Sequence, residues 1–124
     1  MERMTRQQLV TEFGEPGVHN PTLVDLITVE PDSQKVVLVM IERRPWGAEP
    51  KQFGQIEEKI NRYMGYVLDG FLVQHYPQYE GRPVIIRLDC AEEPTGEAAR
   101  FVAAARHAIS QHGLEMAVNV LRQS

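Results

Sequence analysis

One cysteine and four histidines are the residues of this chain whose types could supply a nucleophile and a base. Cys90 follows Asp89 directly, near the end of an apolar segment. A thiolate enzyme needs a histidine within hydrogen-bond reach of the sulfur and donors for an oxyanion, and the sequence around Cys90 contains no glycine-flanked nucleophile turn. A lone cysteine in such a segment is more often a small buried hydrophobe. We therefore expect no catalytic residue.

The segment "ERRPWGAEP" is the second place where chemistry is conceivable. An arginine pair, Arg43 and Arg44, beside the ring of Trp46 could bind a carboxylate or a phosphate, and arginine and tryptophan are enriched at interface hot spots. In the other interpretation the segment is a strand-to-helix connection. Trp46 then packs at the edge of the core, and the arginines pair with Glu42, Glu49 or solvent. We favour this second interpretation.

Candidate contact residues for a ligand or partner are therefore few, and none of them is a metal ligand. They are Arg43, Arg44, Trp46, Arg87, Asp89 and Cys90. His107 and His112 are five positions apart, whereas two ligands on one helical face require a spacing of about three or four. The glycines lie where helix ends and packing explain them rather than in a phosphate-binding loop. We expect neither a metal nor a cofactor.

Composition narrows the class of protein. The chain has 124 residues, of which 43% are apolar and 24% charged, and its formal net charge is -4. Acidic and basic residues are interleaved, so the chain shows no basic surface of the kind that binds nucleic acid. The longest apolar run is far below the ~20 residues that span a bilayer, and the first ten residues lack the apolar region of a secretory signal. We expect a cytoplasmic protein with no nucleic-acid partner and no membrane contact.

Hydrophobic periodicity predicts the elements that must position these residues. Residues 23–30 and 35–42 are rich in β-branched side chains and are separated by Pro-Asp-Ser-Gln, which predicts an antiparallel hairpin. The apolar period becomes helical from 50 to 69, and a shorter turn or helix is expected over 71–77. Further predicted elements are a strand at 83–90, a helix capped by Thr95 and terminated by Gly113, and a strand at 114–121 with one polar face.

The order of these elements is ββαβαβ, and it predicts an α+β fold. Two amphipathic helices, each with one apolar stripe, suit a two-layer α/β sandwich in which about four strands carry both main helices on one face. The last two strands should pair in parallel if they are neighbours in the sheet. Residues 1–20 are expected to form an N-terminal segment or short helix, and residues 21–124 a single sandwich domain.

Several stretches of the chain together resemble a known family. They are "VDLITVEP" with the following "KVVLVM", Trp46 in the connection, "EEKINRYMGYVLDG" and "YPQYEGRPVIIRL", in that order. In this pattern the chain is similar to a family of small bacterial proteins known only as a domain of unknown function. The similarity covers roughly residues 20–121. It implies a shared fold and no activity.

Strand 35–42 carries more apolar surface than helices on one side of the sheet require. Both of its alternating sets are apolar, namely Val36, Leu38 and Met40 on one side and Val37, Val39 and Ile41 on the other. Three such side chains left in water would forgo on the order of 1.5–3 kcal/mol each. We therefore expect a cover, and the candidates are residues 1–20, a second copy or a different protein. In the simplest case the strand is central and is covered within the monomer.

Two functions follow from these observations. The preferred one is a non-enzymatic interaction protein that docks through its hairpin face, at strand 35–42, to itself as a homodimer or to a protein partner. The alternative is a small-ligand-binding protein or a thiol-dependent enzyme that uses Cys90 and the Trp46 loop. The sequence favours the first because it contains no complete catalytic constellation.

Overall fold

The computed structural model of the chain describes residues 25–121. The strands are β1 (Leu26–Val29), β2 (Val36–Glu42), β3 (Val84–Cys90) and β4 (Glu115–Val120). The helices are α1 (Gln52–Leu68), α2 (Phe71–His75) and α3 (Glu97–Ser110), and a 3₁₀ turn lies at Pro77–Tyr79. The predicted N-terminal segment, residues 1–20, falls outside the described residues. The ββαβαβ order and the α+β class are confirmed.

The four strands form one mixed sheet in the order β1-β2-β3-β4. The pair β1–β2 is antiparallel, whereas β2–β3 and β3–β4 are parallel. The hairpin and the parallel pairing of the last two strands were both predicted, but the sequence did not provide the order of the strands. β2 and β3 are consequently central, and β1 and β4 lie at the edges of the four-stranded sheet formed by residues 25–121.

The ends of the helices agree with the sequence prediction at Gly70 and differ from it at Thr95. Gly70 separates α1 from α2 and has a φ of 86°, the left-handed conformation expected just past a helix end. The prediction that Thr95 is the N-cap of α3 was wrong by one residue. The cap is Gly96, and Thr95 accepts the N–H of Ala98 through its backbone oxygen at 3.0 Å rather than through its side chain.

The main core lies between the helices and one face of the sheet, which we call the helix face. Apolar stripes of α1 and α3 pack on alternating residues of β2 and β3, as the periodicity predicts. The buried members include Val36, Leu38, Met40, Ile56, Ile60, Tyr63, Val84, Ile86, Leu88, Val102 and Ile109. Both main helices therefore cover the same face of the sheet.

A smaller apolar cluster occupies the opposite face of the sheet, which we call the second face. Val37, Val39 and Ile85 are buried there, and Ile41 and Ala117 pack against them while partly exposed. No residue of α1, α2 or α3 belongs to this cluster. Both alternating sets of β2 are thus buried. Within residues 25–121, helices cover only the helix face.

Candidate functional site

Glu42 and Arg44 form a tight ion pair at the carboxyl end of β2. The Arg44 guanidinium donates from Nε to Glu42 Oε1 at 2.9 Å and from Nη2 to Oε2 at 2.7 Å. The backbone N–H of Arg44 donates to the same Oε1 at 2.8 Å. The hydrogen bond to Glu42, which is almost fully buried, is the main reason that the pKa of Arg44 is raised. A ligand carboxylate would have to displace Glu42 from this geometry.

The remaining guanidinium nitrogen of Arg44 is also engaged. Its Nη1 donates to Glu49 at 3.1 Å. The neighbouring Arg43 is exposed and forms no ion pair with any of residues 25–121. The pairing interpretation of the segment is therefore confirmed for Arg44, and the two arginines do not act as one anion clamp.

Trp46 anchors the connection between β2 and α1. Its indole Nε1 donates to the backbone oxygen of Glu92 at 2.8 Å, which ties the connection to the segment that follows β3. Its ring stacks on Phe53 of α1 at a centroid distance of 6.1 Å, and Phe53 in turn stacks on Phe101 of α3 at 4.9 Å. Trp46 therefore packs at the edge of the core, as the second interpretation of the sequence predicts.

Arg87 and Asp89 lie on the second face, because residues two apart on a strand share a side of the sheet. Arg87 donates from Nε to Asp89 Oδ1 at 2.8 Å and from Nη2 to Oδ2 at 3.3 Å. The arginine side chain is 31% exposed and the aspartate side chain 11%. These two candidates pair with each other and lie on the opposite face from Cys90.

Cys90 is fully buried on the helix face. Its Sγ donates to the backbone oxygen of Asn119 at 3.8 Å. Burial raises the pKa of this thiol, and the negative charges of Asp89 and Glu42 raise it further. A raised pKa disfavours the thiolate, which is the reactive form. The six candidate residues therefore do not converge on one site, and Cys90 has the environment of a core residue.

A buried polar network at the start of β1 was not predicted from the sequence. Lys59 of α1 donates from Nζ to Asp25 Oδ1 at 2.6 Å, and both side chains are 0% exposed. Asp25 Oδ2 accepts the N–H of Ile41 at 2.8 Å, and the Asp25 N–H donates to the hydroxyl of Tyr63 at 2.9 Å. That hydroxyl donates to the Val39 oxygen at 2.8 Å. The network joins α1 to the first two strands.

Burial is the main cause of the pKa shifts of Lys59 and Tyr63. It lowers the pKa of Lys59 against the opposing effect of Asp25, and it raises the pKa of Tyr63, which stays neutral. Two features of the sequence could have indicated the network. Lys59 lies three positions after Ile56 and four before Tyr63, on the buried stripe of α1, and Asp25 interrupts an apolar segment.

β4 lies at one edge of the sheet that residues 25–121 form. The N–H of Leu121 donates to the Cys90 oxygen at 2.8 Å, so odd-numbered residues of this segment direct their backbone groups towards β3. By alternation, the N–H and C=O groups of Met116, Val118 and Val120 point away from β3. No strand formed by residues 25–121 lies beyond β4, and Val120 is 40% exposed.

A groove, which we call the edge groove, runs between α3 and β4. It is lined by Ala99, Val102, Ala103, Arg106, Val118, Val120, Glu93 and Pro94. Because β3 and β4 are parallel, the helix that connects them runs antiparallel to both. Glu93 therefore lies at the end of the groove near Val120, and Arg106 lies about 10 Å further along α3 from Ala99, towards the start of β4.

The described elements define a two-layer α/β sandwich in which a four-stranded mixed sheet carries its helices on one face. The chain belongs to a family of unknown function, DUF6572, whose model matches residues 17–122. No curated protein and no solved structure matches the chain. The resemblance to a domain of unknown function is thereby confirmed.

Residues 25–121 contain neither a helix that could span a membrane nor a cluster of metal-ligating side chains. None of the helices in this part of the chain combines the length and the apolar character needed to cross a membrane. Across the same residues, histidine, cysteine, aspartate and glutamate side chains nowhere form a group of three or more that could hold a metal ion. Two buried polar groups of this part of the chain, Lys59 and Glu42, are instead bonded to other side chains.

Proposed function

We propose that this protein is a non-enzymatic interaction protein that binds another polypeptide strand along β4, at the edge of the sheet formed by residues 25–121. The observation that carries the proposal is the outward-pointing row of backbone groups at Met116, Val118 and Val120, which lies beside the apolar edge groove. An extended strand added at such an edge gains main-chain hydrogen bonds, while neighbouring pockets receive its side chains.

Three of the candidate groups that could perform chemistry are engaged inside the chain, which supports an interaction role over catalysis. Arg44 is held by Glu42 and Glu49, and Arg87 is held by Asp89. Cys90 is buried with a raised pKa. A thiol-dependent enzyme would require an accessible thiolate, so no observation favours that alternative.

The edge at β4 is a better contact surface than the hairpin. β2 pairs with a strand on each side, and both of its alternating sets are buried. Docking of a homodimer or protein partner through strand 35–42 stays a prediction, as does the cytoplasmic location. β4 has one neighbour among the described strands, and its outer side chains are partly accessible.

The sequence of β4 also lacks the usual protection of a free edge. Natural proteins guard such edges with lysine, proline, bulges or very short strands. Glu115–Val120 contains neither lysine nor proline and is six residues long, whereas β1 at the other edge has four. β1 also lacks lysine and proline, so greater length is what favours β4 as the strand that accepts a partner.

A synthetic peptide with the sequence of residues 114–121 tests this proposal as an added strand. It is titrated into the full-length protein at a dilution where the chain is monomeric, and amide hydrogen exchange is followed residue by residue. Exchange at Met116, Val118 and Val120 should slow, because these N–H groups point outward. The N–H groups of Ala117 and Asn119 should change little, because they already face β3.

Two variants at position 120 distinguish the contribution of the backbone N–H to strand addition from that of the side chain. Val120→Pro removes an outward donor without breaking the β3–β4 ladder, and it should abolish the protection. Val120→Ala keeps the N–H donor and should retain most of the protection of the outward amides. If the peptide fails to protect the three outward amides, or protects β1 instead, strand addition at β4 is refuted.

A further inference from the structure

We propose that the strand added at β4 belongs to a second copy of this chain, with the two β4 strands antiparallel about a two-fold axis at Val118. The inference rests on the proposed function for its surface and goes beyond it by naming the partner. A two-fold contact uses the same patch twice, so the patch must be complementary to itself. Three features of the edge meet that requirement.

The backbone of β4 is complementary to itself. With Val118 opposite Val118 of the second copy, Met116 lies opposite Val120 of that copy, and the reverse pair forms by symmetry. All three residues direct their N–H and C=O groups outward, so each of these pairs can exchange two hydrogen bonds. Val120, which is 40% exposed in the single chain, then packs against a methionine across the strands.

The charges of the edge groove are complementary under the same rotation. Glu93 lies at one end of the groove and Arg106 towards the other, and neither forms an ion pair with any of residues 25–121. A two-fold axis at the middle of β4 exchanges the two ends. Arg106 of each copy is thereby brought towards Glu93 of the other, and the pair occurs twice in each dimer.

The side of α3 that lines the groove permits close approach. Ala99 and Ala103 are exposed and lie four positions apart, on the side of α3 next to β4. Since β4 of the second copy extends the sheet, its α3 comes to lie alongside this face in antiparallel orientation. Alanine side chains leave room for the second helix, and Arg106 remains free to reach across.

The polar side of β4 introduces no conflict of charge. In this register Glu115 lies opposite Leu121 of the second copy rather than opposite another carboxylate. Glu115 is in addition paired with Lys35 of its own chain at 3.1 Å. Like charges directly opposite each other would destabilise the strand pair. The arrangement avoids this, and it produces one continuous eight-stranded sheet from two four-stranded ones.

A charge-reversal cycle on the full-length protein tests the arrangement. Sedimentation equilibrium and light scattering over a range of concentrations should show a monomer–dimer equilibrium for the unchanged chain. Arg106→Glu and Glu93→Arg should each weaken dimerisation by about tenfold or more, since each creates two like-charge contacts. The double variant should restore the dimer, because it recreates both pairs in reverse.

Arg100→Glu is the matched control, because Arg100 is exposed on α3 and does not line the groove. Its dimerisation should be unchanged. All variants should unfold at the same temperature when dilute, and Val120→Pro should be monomeric.

A chain that stays monomeric at every concentration overturns the second copy as partner, and the peptide experiment then decides strand addition by itself. A dimer whose double variant is no tighter than the single ones overturns the two-fold arrangement. Open-ended oligomers overturn it too.

Discussion

Two ion pairs of similar geometry differ in where the chain places them. Lys59 and Asp25 are 34 positions apart, meet at 2.6 Å and are 0% exposed. Arg87 and Asp89 are two positions apart and meet at 2.8 Å on the second face, where the arginine side chain is 31% exposed and the aspartate is mostly buried. The first pair connects a helix to the hairpin, and the second connects a strand to itself. Two ion pairs with similar distances therefore contribute differently to the stability of the protein.

Burial is the physical reason for the difference. Removing one partner of a fully buried pair leaves an unpaired charge in a medium that solvates it poorly, and this destabilises a protein by about 3–5 kcal/mol. A partly exposed pair is screened by water, which replaces a lost partner, and such pairs contribute about 0–1 kcal/mol. The Arg44–Glu42 pair lies between these limits, because its carboxylate is buried and its guanidinium is partly exposed.

Lys59→Met should have the largest effect, lowering the free energy of unfolding by about 3–5 kcal/mol, because the buried carboxylate of Asp25 loses its ion pair with Lys59. Urea unfolding at neutral pH measures the change. The control is Lys51→Met, since Lys51 is exposed at the start of α1. A loss below about 1 kcal/mol, the range of exposed pairs, would mean that the buried pair behaves as an exposed one.

Adding Asp25→Asn to Lys59→Met sharpens the same comparison. The amide removes the negative charge of Asp25 that Lys59 no longer faces, while its oxygen can still accept the N–H of Ile41. The double variant should therefore be more stable than Lys59→Met alone. The same urea titrations measure it, and equal stability of the two would show that charge burial is not the source of the loss.

Arg44→Ala should have an intermediate effect, lowering the free energy of unfolding by about 2 kcal/mol, because two hydrogen bonds to the buried Glu42 carboxylate are removed. The backbone N–H of residue 44 still donates to Glu42, which limits the loss. Arg43→Ala is the neighbouring control, and it should change stability by less than about 0.5 kcal/mol. Equal losses in the two variants would contradict the assignment.

Arg87→Ala should have the smallest effect, about 0.5–1 kcal/mol, because solvent reaches this pair on the second face. Denaturant unfolding again provides the measurement, with Arg100→Ala as an exposed control on α3. A loss as large as that of Lys59→Met would show that Asp89 is more deeply buried than its 11% exposure indicates.

Separation along the chain explains which of these contacts the sequence could predict. Arg44 and its partners Glu42 and Glu49 lie within one short segment, so their pairing was among the expected outcomes, and the structure confirms it. The packing of Trp46 at the edge of the core was predicted for the same reason. The Lys59–Asp25 pair was missed, because nothing local in the chain indicates which strand a helix residue will meet.

The candidate site illustrates the same limit. Arg87, Asp89 and Cys90 are close in sequence, but alternation along β3 places the first two on the second face and the third on the helix face. Arg44 and Trp46 are engaged in contacts of their own. The edge groove was not predicted, because it depends on β4 being the last strand of the sheet.

The sequence by itself determined the types and order of the elements, the side of each helix that is buried and the apolar character of both faces of β2. These properties follow from periodicity and turn residues, which act over a few positions along the chain. Only the tertiary structure decided the order of the strands, the pairing of Lys59 with Asp25 and the position of β4 at the edge of the sheet formed by residues 25–121. Those depend on segments tens of residues apart, whose pairing is selected by the packing of the whole sheet rather than by any local pattern.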